Sequence, residues 1–159
     1  MRDLLQKGNP VSLISPGLIN HYNRLWQTVK PDSNEAGQRA RQILENRARY
    51  LVVQEKTGVP WYLIGIIHSL ESDLSFTCCL HNGDRLPGPT KHVPRGRGPF
   101  GSWEEAATDA LQLKRRYWSN FTWNTVHENL FALELYNGTG YLFHHPEINS
   151  PYLWGLSNH

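Results

Sequence analysis

The sequence predicts an α+β domain that is mainly α-helical and carries one small β-hairpin lobe. Apolar residues recur at helical spacing in five segments. A glycine- and proline-rich stretch over 80–101 separates the third segment from the fourth, and it contains Asn82-Gly83, a turn typical of hairpins. A length of 159 residues suits one domain. We therefore expect residues 1–159 to form a single domain and the chain to be a monomer.

The first three helices are predicted over 18–30, 36–56 and 60–73. A proline follows the first, and Gly58 ends the second. Pro60 opens the third at a position where a helix tolerates proline. This third helix is apolar on all sides, so we expect it to be the central, buried helix of the fold.

Residues 80–101 hold five Gly and four Pro, a density that excludes a normal helix and leaves room for a two-stranded ribbon. Ser102 and Glu105 then match a capping box, which predicts a helix over 102–117. A fifth helix is predicted over 123–136, and a glycine-rich stop follows it. The remaining C-terminal residues are predicted to be irregular.

Composition excludes several classes of function. A net charge of only +2, with His neutral, excludes a strongly basic nucleic-acid binder. The longest nearly apolar run, over 61–70, is too short to span a bilayer, so no transmembrane segment is expected. The first ten residues lack the apolar core of a secretory signal peptide. We therefore expect synthesis in the cytoplasm and no nucleic-acid partner.

Glu71 is the first candidate for chemistry. It lies at the end of the apolar third helix, and residues 59–79 contain no Lys or Arg. Partial desolvation raises the pKa of a carboxyl group, and an acid that is still protonated near neutral pH can donate a proton to a leaving group. The alternative is that Glu71 reaches solvent or pairs with a distant arginine such as Arg47 or Arg49.

Two short motifs give this carboxylate a context. Glu71-Ser72 ends one predicted helix, and Leu135-Tyr136-Asn137-Gly138 ends another. In this order and on these elements they resemble the lysozyme superfamily, specifically the lytic transglycosylases and goose-type lysozymes. The run from His68 to Ser72, followed by Leu80-His-Asn-Gly-Asp84, is similar to small phage and bacterial lysozyme-like proteins. The resemblance covers residues 58–141.

The resemblance implies a lysozyme-like helical domain with a small β-lobe and a cleft for a β-1,4-linked amino-sugar polymer. It implies that Glu71 is the general acid/base. Substrate-binding roles fall on Ser72, Tyr136, Asn137 and His81. The expected activity is cleavage between N-acetylmuramic acid and N-acetylglucosamine in peptidoglycan, so the chain is expected to act on the cell wall.

Asp84 is the candidate second carboxylate. It follows Asn82-Gly83 in a turn, where we expect it to stay solvated and ionised beside a protonated Glu71. A separation of about 6.5–9.5 Å between the two carboxyl groups would predict inversion, and about 5–5.5 Å a covalent intermediate. If neither holds, the acetamido group of the substrate could act as the internal nucleophile. The alternative is that Asp84 serves ordinary turn chemistry.

The sequence gives no ligand set for a metal, and we expect no cofactor. Cys78 and Cys79 are adjacent, a spacing that departs from zinc sites even with His68 and His81 nearby. They are predicted to be reduced. Six aromatic residues of the second half of the chain are candidates either for stacking on sugar or for filling the core: Trp103, Trp118, Trp123, Tyr136, Tyr141 and Trp154. Among them the Leu135–Gly138 motif favours a sugar contact for Tyr136.

Three other functions remain open at this point. Many lytic transglycosylases carry a Gly-Leu-Met-Gln motif between the two motifs quoted above. Here that interval holds Gly98-Pro-Phe-Gly-Ser102 and no such Gln, so the sequence favours hydrolysis and keeps transglycosylation to anhydro-muropeptides as an alternative. A chitinase or chitosanase on the same fold and a non-catalytic glycan-binding module are the others.

Overall fold

The computed structural model describes residues 14–159, and this part of the chain is mainly helical, as predicted. Ser15 caps the first helix, where its hydroxyl accepts a hydrogen bond from the Leu18 N–H at 3.2 Å. The eight helices of the described residues are α1 Pro16–Thr28, α2 Ser33–Glu45, α3 Arg47–Thr57, α4 Trp61–Ser72, α5 Trp103–Trp118, α6 Val126–Asn137, α7 Gly140–His144 and α8 Pro151–Trp154.

The prediction of a single helix over 36–56 was wrong, because the helix is interrupted at Asn46, between α2 and α3. The Asn46 side-chain amide donates to the Gln42 carbonyl at 2.9 Å, and its backbone N–H donates to the same oxygen at 3.2 Å. A side chain that competes with the helix for a carbonyl weakens the regular ladder. Asparagine within an otherwise apolar-periodic run was the available signal.

The β-hairpin lobe predicted within 80–101 was also wrong. Among the described residues the only pairing there is one isolated antiparallel bridge between Cys78 and Arg85. The Leu86 N–H donates to the Thr77 carbonyl at 2.8 Å, and Pro87 follows with no N–H to continue a ladder. Pro87 therefore ends the pairing directly after the bridge.

The described residues group into two compact units. Residues 14–36 and 114–159 form one unit, and residues 37–113 form the other. The single domain expected for residues 1–159 stays a prediction.

In the 37–113 unit, helix α4 packs against α3. Leu63, Ile64 and Ile67 of α4 are almost fully buried, whereas Ile66 and Leu70 are 36% and 43% exposed. The prediction of a helix buried on all sides thus holds for one face only. Helix α5 begins at the predicted N-terminal cap. The Ser102 hydroxyl accepts from the Glu105 N–H, and the Glu105 carboxylate reaches back and accepts from the Gly101 N–H.

At Gly65, helix α4 closely approaches helix α2. A Cβ atom at Gly65 would lie 2.4 Å from Cγ2 of Ile43 on α2, which is a stiff β-branched side chain. Gly65→Ala should therefore lower the free energy of unfolding by about 1–2 kcal/mol, because overpacking outweighs the gain of about 1 kcal/mol in helix propensity.

Gly37→Ala is the matched control for that substitution. At Gly37 the added Cβ would meet only Arg41 Nη1 at 3.7 Å, so we expect this variant to gain up to about 1 kcal/mol. Urea denaturation of both variants measures the difference. Stabilisation by Gly65→Ala as well as by Gly37→Ala would contradict the packing argument.

In the other unit, α6 packs against α1 and α8. Seven consecutive residues of α6, from Leu130 to Tyr136, are almost wholly buried, together with Tyr22 of α1 and Trp154 of α8. Thr125 caps α6 by accepting from the Glu128 N–H, and Gly138 ends it. The C-terminal residues predicted to be irregular form the short helices α7 and α8 instead.

Candidate functional site

Glu71 lies in the last turn of α4 and is half-buried. Asp73 ends the helix in the left-handed region at φ 51°, with its N–H donating to the His68 carbonyl. The Asn82-Gly83 turn covers this helix end, because a Cβ atom at Gly83 would lie 3.0 Å from the Glu71 carbonyl oxygen. Only glycine suits this position, where φ is +76° and the backbone approach is close. The turn and the candidate acid therefore form one local structure.

Positive charge reaches the end of α4 from another helix. Arg39 of α2 donates to the Asp73 carboxylate at 2.7 Å and to the Ser69 hydroxyl at 3.1 Å. A cation is favourable near a helix C-terminus. The sequence had suggested a helix end without nearby basic residues, since none lies within 59–79. The arginine comes from 30 residues away, which sequence spacing alone does not reveal.

The turn of α4 before Glu71 is fixed by a buried aromatic cluster. His68 is fully buried, and its Nδ1 lies 3.0 Å from the Tyr50 hydroxyl. Burial lowers the pKa of His68 to about 4, so the ring is neutral at neutral pH. Phe76 and Trp103 lie against this ring, with centroids 4.6 Å and 4.5 Å away. Ser72 donates to the His68 carbonyl at 3.4 Å and thereby continues this last turn.

The two arginines considered as partners of Glu71 have other contacts. Arg49 Nε donates to Glu104 at 2.5 Å, and its guanidinium lies 3.7 Å from the centre of the Phe76 ring. Arg47 lies over Trp61 at 5.0 Å. Both therefore pack their planar heads on aromatic faces.

Asp84 holds the following loop together. One carboxylate oxygen accepts from the backbone N–H groups of Lys91 and His92 at 2.8 and 2.9 Å, and the other lies 2.8 Å from His92 Nδ1. These hydrogen bonds, that of the His92 N–H first, lower the pKa of Asp84 to about 2. Asp84 is thus ionised, as predicted, but its side chain is only 12% exposed, so partners within the loop and not bulk water keep it charged.

We expect the loop over 84–92 to loosen in acid. The pKa of Asp84 falls from 3.8 to about 2 on folding, so its contribution is fully present above about pH 5 and is lost as the pH drops from about 4 towards 2. Hydrogen-exchange protection of the Lys91 and His92 amides should fall over that range. Asp84→Asn should lower this protection above about pH 4 and approach the wild type as the pH falls towards 2, whereas Asp73→Asn should leave it unchanged. Equal protection in Asp84→Asn and wild type would contradict the role in the loop.

His81 lies inside the 37–113 unit and not on a substrate surface. Its side chain is 1% exposed, its Nε2 lies 2.8 Å from Asp109 Oδ2, and its ring stacks on Phe100. Burial lowers the pKa of His81, and Arg97, which donates to both oxygens of Asp109, holds the pKa of that carboxyl low. The prediction of a substrate contact by His81 therefore needs correction: its side chain is in the core because it joins the loop to α5.

Tyr136 and Asn137 lie in the other unit, at the end of α6. Tyr136 is 7% exposed, and its ring is parallel to Trp118 with centroids 6.4 Å apart. Lys114 donates to the Tyr136 carbonyl at 3.1 Å, which places a cation at the helix C-terminus. Asn137 is exposed. The predicted site residues thus form two groups: Glu71, Ser72, His81 and Asp84 in one unit, and Tyr136 and Asn137 in the other.

Sequence reasoning missed Glu134. This residue of α6 is 4% exposed, and burial raises its pKa to about 7. It lines a cavity of about 270 Å³ together with Tyr22, Ser150 and Trp154. Its position two residues before the Tyr136-Asn137 motif, within a run of buried apolar residues, was the only available signal.

Three findings concern metals, membranes and cysteines. Within residues 14–159 no group of three His, Cys, Asp or Glu side chains is arranged to hold a metal ion. In the same range no helix is long and apolar enough to cross a membrane. Cys78 and Cys79 are both free thiols; Cys79 is buried, and its Sγ lies 3.3 Å from the Asn82 side-chain oxygen.

Comparison with known proteins returned no relative. The chain matches no protein-family model, no curated protein and no solved structure. Its function must therefore be argued from its own residues.

Proposed function

We propose that the chain is a lysozyme-like glycosidase that cleaves β-1,4 bonds between N-acetylmuramic acid and N-acetylglucosamine in peptidoglycan. The main support is the placement of Glu71, a half-buried carboxyl group at the end of an apolar helix and beneath the Asn82-Gly83 turn. This is the arrangement expected for a general acid. The resemblance of the Glu71-Ser72 and Tyr136-Asn137 motifs to the lysozyme superfamily names the substrate class.

In this proposal Glu71 first acts as an acid. Its proton passes to the glycosidic oxygen as the bond from that oxygen to C1 breaks, and an oxocarbenium-like centre develops. The ionised Glu71 then accepts a proton from the hydroxyl-bearing nucleophile that completes the reaction at C1. If that nucleophile is water, the product is a reducing muropeptide; if it is the C6 hydroxyl of the same sugar, the product is an anhydro-muropeptide.

Asp84 positions the loop in this mechanism. Both its oxygens are engaged by Lys91 and His92, so in this proposal Asp84 does not direct a water. The acetamido oxygen of the substrate takes the role predicted for a second carboxylate. It attacks C1 from the opposite face as the leaving group departs. Water or the C6 hydroxyl then displaces it, and the configuration at C1 is retained.

Charge in the same loop agrees with the substrate class. Arg85, Lys91 and Arg95 are exposed and follow the candidate acid closely in sequence. Peptidoglycan carries carboxylates on its stem peptides, and exposed basic side chains attract such a polymer.

Mass spectrometry of digested murein tests the proposal. Purified murein incubated with the chain should release soluble muropeptides, and their ends distinguish the two routes: reducing ends indicate hydrolysis and anhydro ends indicate transglycosylation. Chitin oligomers are the control for substrate class. Cleavage of chitin without cleavage of murein would replace the proposed substrate, and release of no fragment from either would contradict a glycosidase.

A further inference from the structure

The cavity lined by Glu134 lies in the unit of residues 14–36 and 114–159. Its volume is about 270 Å³, just below the range of about 300–1,000 Å³ that is usual for pockets holding drug-sized ligands. Helix α1 contributes one wall and α6 another, and residues from α7 to α8 complete it. This space suits one small molecule, not an extended chain.

Three buried oxygen atoms of lining residues have no hydrogen-bond partner among residues 14–159. They are the Tyr22 hydroxyl, Glu134 Oε2 and the Ser150 hydroxyl. These residues are 1%, 4% and 3% exposed. Leaving buried polar atoms unpaired is unfavourable, so polar groups of this kind bind water or a ligand. Three of them around one cavity indicate a site built for a polar occupant.

The protonation states favour an uncharged occupant. Burial raises the pKa of Glu134 to about 7, and it raises the pKa of Tyr22 strongly, with Glu134 adding to the effect. Burial and the neighbouring Arg24 lower the pKa of His21, another lining residue. With a pKa of about 7, Glu134 is protonated in part at neutral pH, and in that form its carboxyl, like the two hydroxyls, both donates and accepts a hydrogen bond. A neutral group that carries a donor beside an acceptor pairs with the carboxyl in either protonation state.

The other walls of the cavity are apolar. Leu142, Ile148, Tyr141 and Trp154 line it beside the three polar groups. A sugar ring combines an apolar C–H face, which packs on aromatic and aliphatic side chains, with a polar edge. An acetamido group adds a carbonyl and an N–H that pair with a carboxylic acid through two hydrogen bonds.

We propose that this cavity binds one N-acetylated sugar unit, with its acetamido group on Glu134 and its hydroxyl groups on Tyr22 and Ser150. The inference rests on the proposed function in one respect: the peptidoglycan chain would supply this sugar. It assigns to the unit that lacks Glu71 a sugar-binding site of its own.

N-Acetylglucosamine is the probe that tests this site. Titrated into the full chain and followed by ¹H–¹⁵N NMR, it should shift the Ser150 amide and the Trp154 indole N–H. Glucose, which has no acetamido group, should bind more weakly. Ser150→Ala should weaken N-acetylglucosamine binding about tenfold, the usual effect of one lost hydrogen bond. The exposed Ser119→Ala, in the same unit, should leave it unchanged.

Two substitutions of Glu134 separate chemistry from folding. Glu134→Gln keeps a donor and an acceptor in the same place and should bind within about threefold of wild type, whereas Glu134→Leu should lose binding. Shifts absent from Ser150 and Trp154 at saturating sugar, or equal affinity in Ser150→Ala and wild type, would overturn the inference.

Murein digestion by the same variants separates the two proposals. If the wild type releases muropeptides but the cavity binds no sugar, the inference fails and the glycosidase stands. If N-acetylglucosamine binds as described and murein is not cleaved, the glycosidase fails and a sugar-binding site remains.

Discussion

Glu71→Gln should abolish murein cleavage while the fold stays intact. Glutamine has nearly the shape of glutamate, so a half-buried position tolerates it, but it cannot donate a proton to the glycosidic oxygen. General acid catalysis contributes about 10²–10⁴-fold, and we therefore expect at least a 100-fold loss of rate. The fall in turbidity of a murein suspension measures it.

Glu55→Gln provides the matched control. Glu55 is an exposed carboxyl group on α3 of the same unit, and the same Glu-to-Gln replacement is made there. This variant should cleave murein at the wild-type rate. Cleavage by Glu71→Gln within a few-fold of the control would exclude Glu71 as the acid.

Asp109→Ala should destabilise the 37–113 unit by about 3 kcal/mol. The Asp109 carboxylate contacts both the nearly buried His81 and Arg97, and its loss leaves the His81 Nε2 in the interior without that acceptor. Leaving a buried donor without its acceptor typically costs about 1–3 kcal/mol, and loss of the part-exposed pair with Arg97 adds up to about 1 kcal/mol. The free energy of unfolding from urea denaturation is the quantity to measure.

Asp73→Ala removes a carboxylate of the same type from a solvent-exposed pair. The Asp73 side chain is 84% exposed in its bridge to Arg39, so its removal should change stability by less than about 1 kcal/mol. Similar losses in Asp73→Ala and Asp109→Ala would show that burial of the Asp109 network contributes nothing.

Local signals predicted where several of the helices begin or end. The Ser102–Glu105 capping box, the stop at Gly58 and the apolar periodicity of α6 all act within one or two turns, and the structure contains each feature. The predicted hairpin is absent from residues 80–101. The Asn82-Gly83 turn reverses the chain locally, but the prolines after Arg85 lack the backbone N–H groups that longer strands would need. Turn chemistry alone does not determine strand length.

The candidate site was predictable only in part, because its environment depends on distant residues. Sequence placed Glu71 at a helix end, and the structure does so as well. It did not reveal Arg39 at that end or the burial of His81 on Asp109, since both depend on helix packing. Glu134 was missed for the same reason: a carboxyl group inside an apolar helix looks like a surface residue until its neighbours are known.

The anchoring of one loop by Asp84 has a thermodynamic consequence for any polymer that meets it. Three hydrogen bonds restrict the backbone between Asp84 and His92 before a ligand arrives, so the conformational entropy of that stretch is lost during folding. Arg85 and Lys91 are therefore preorganised, and association need not order the backbone that carries them. Affinity for an anionic chain should consequently depend more on ionic strength than on loop flexibility.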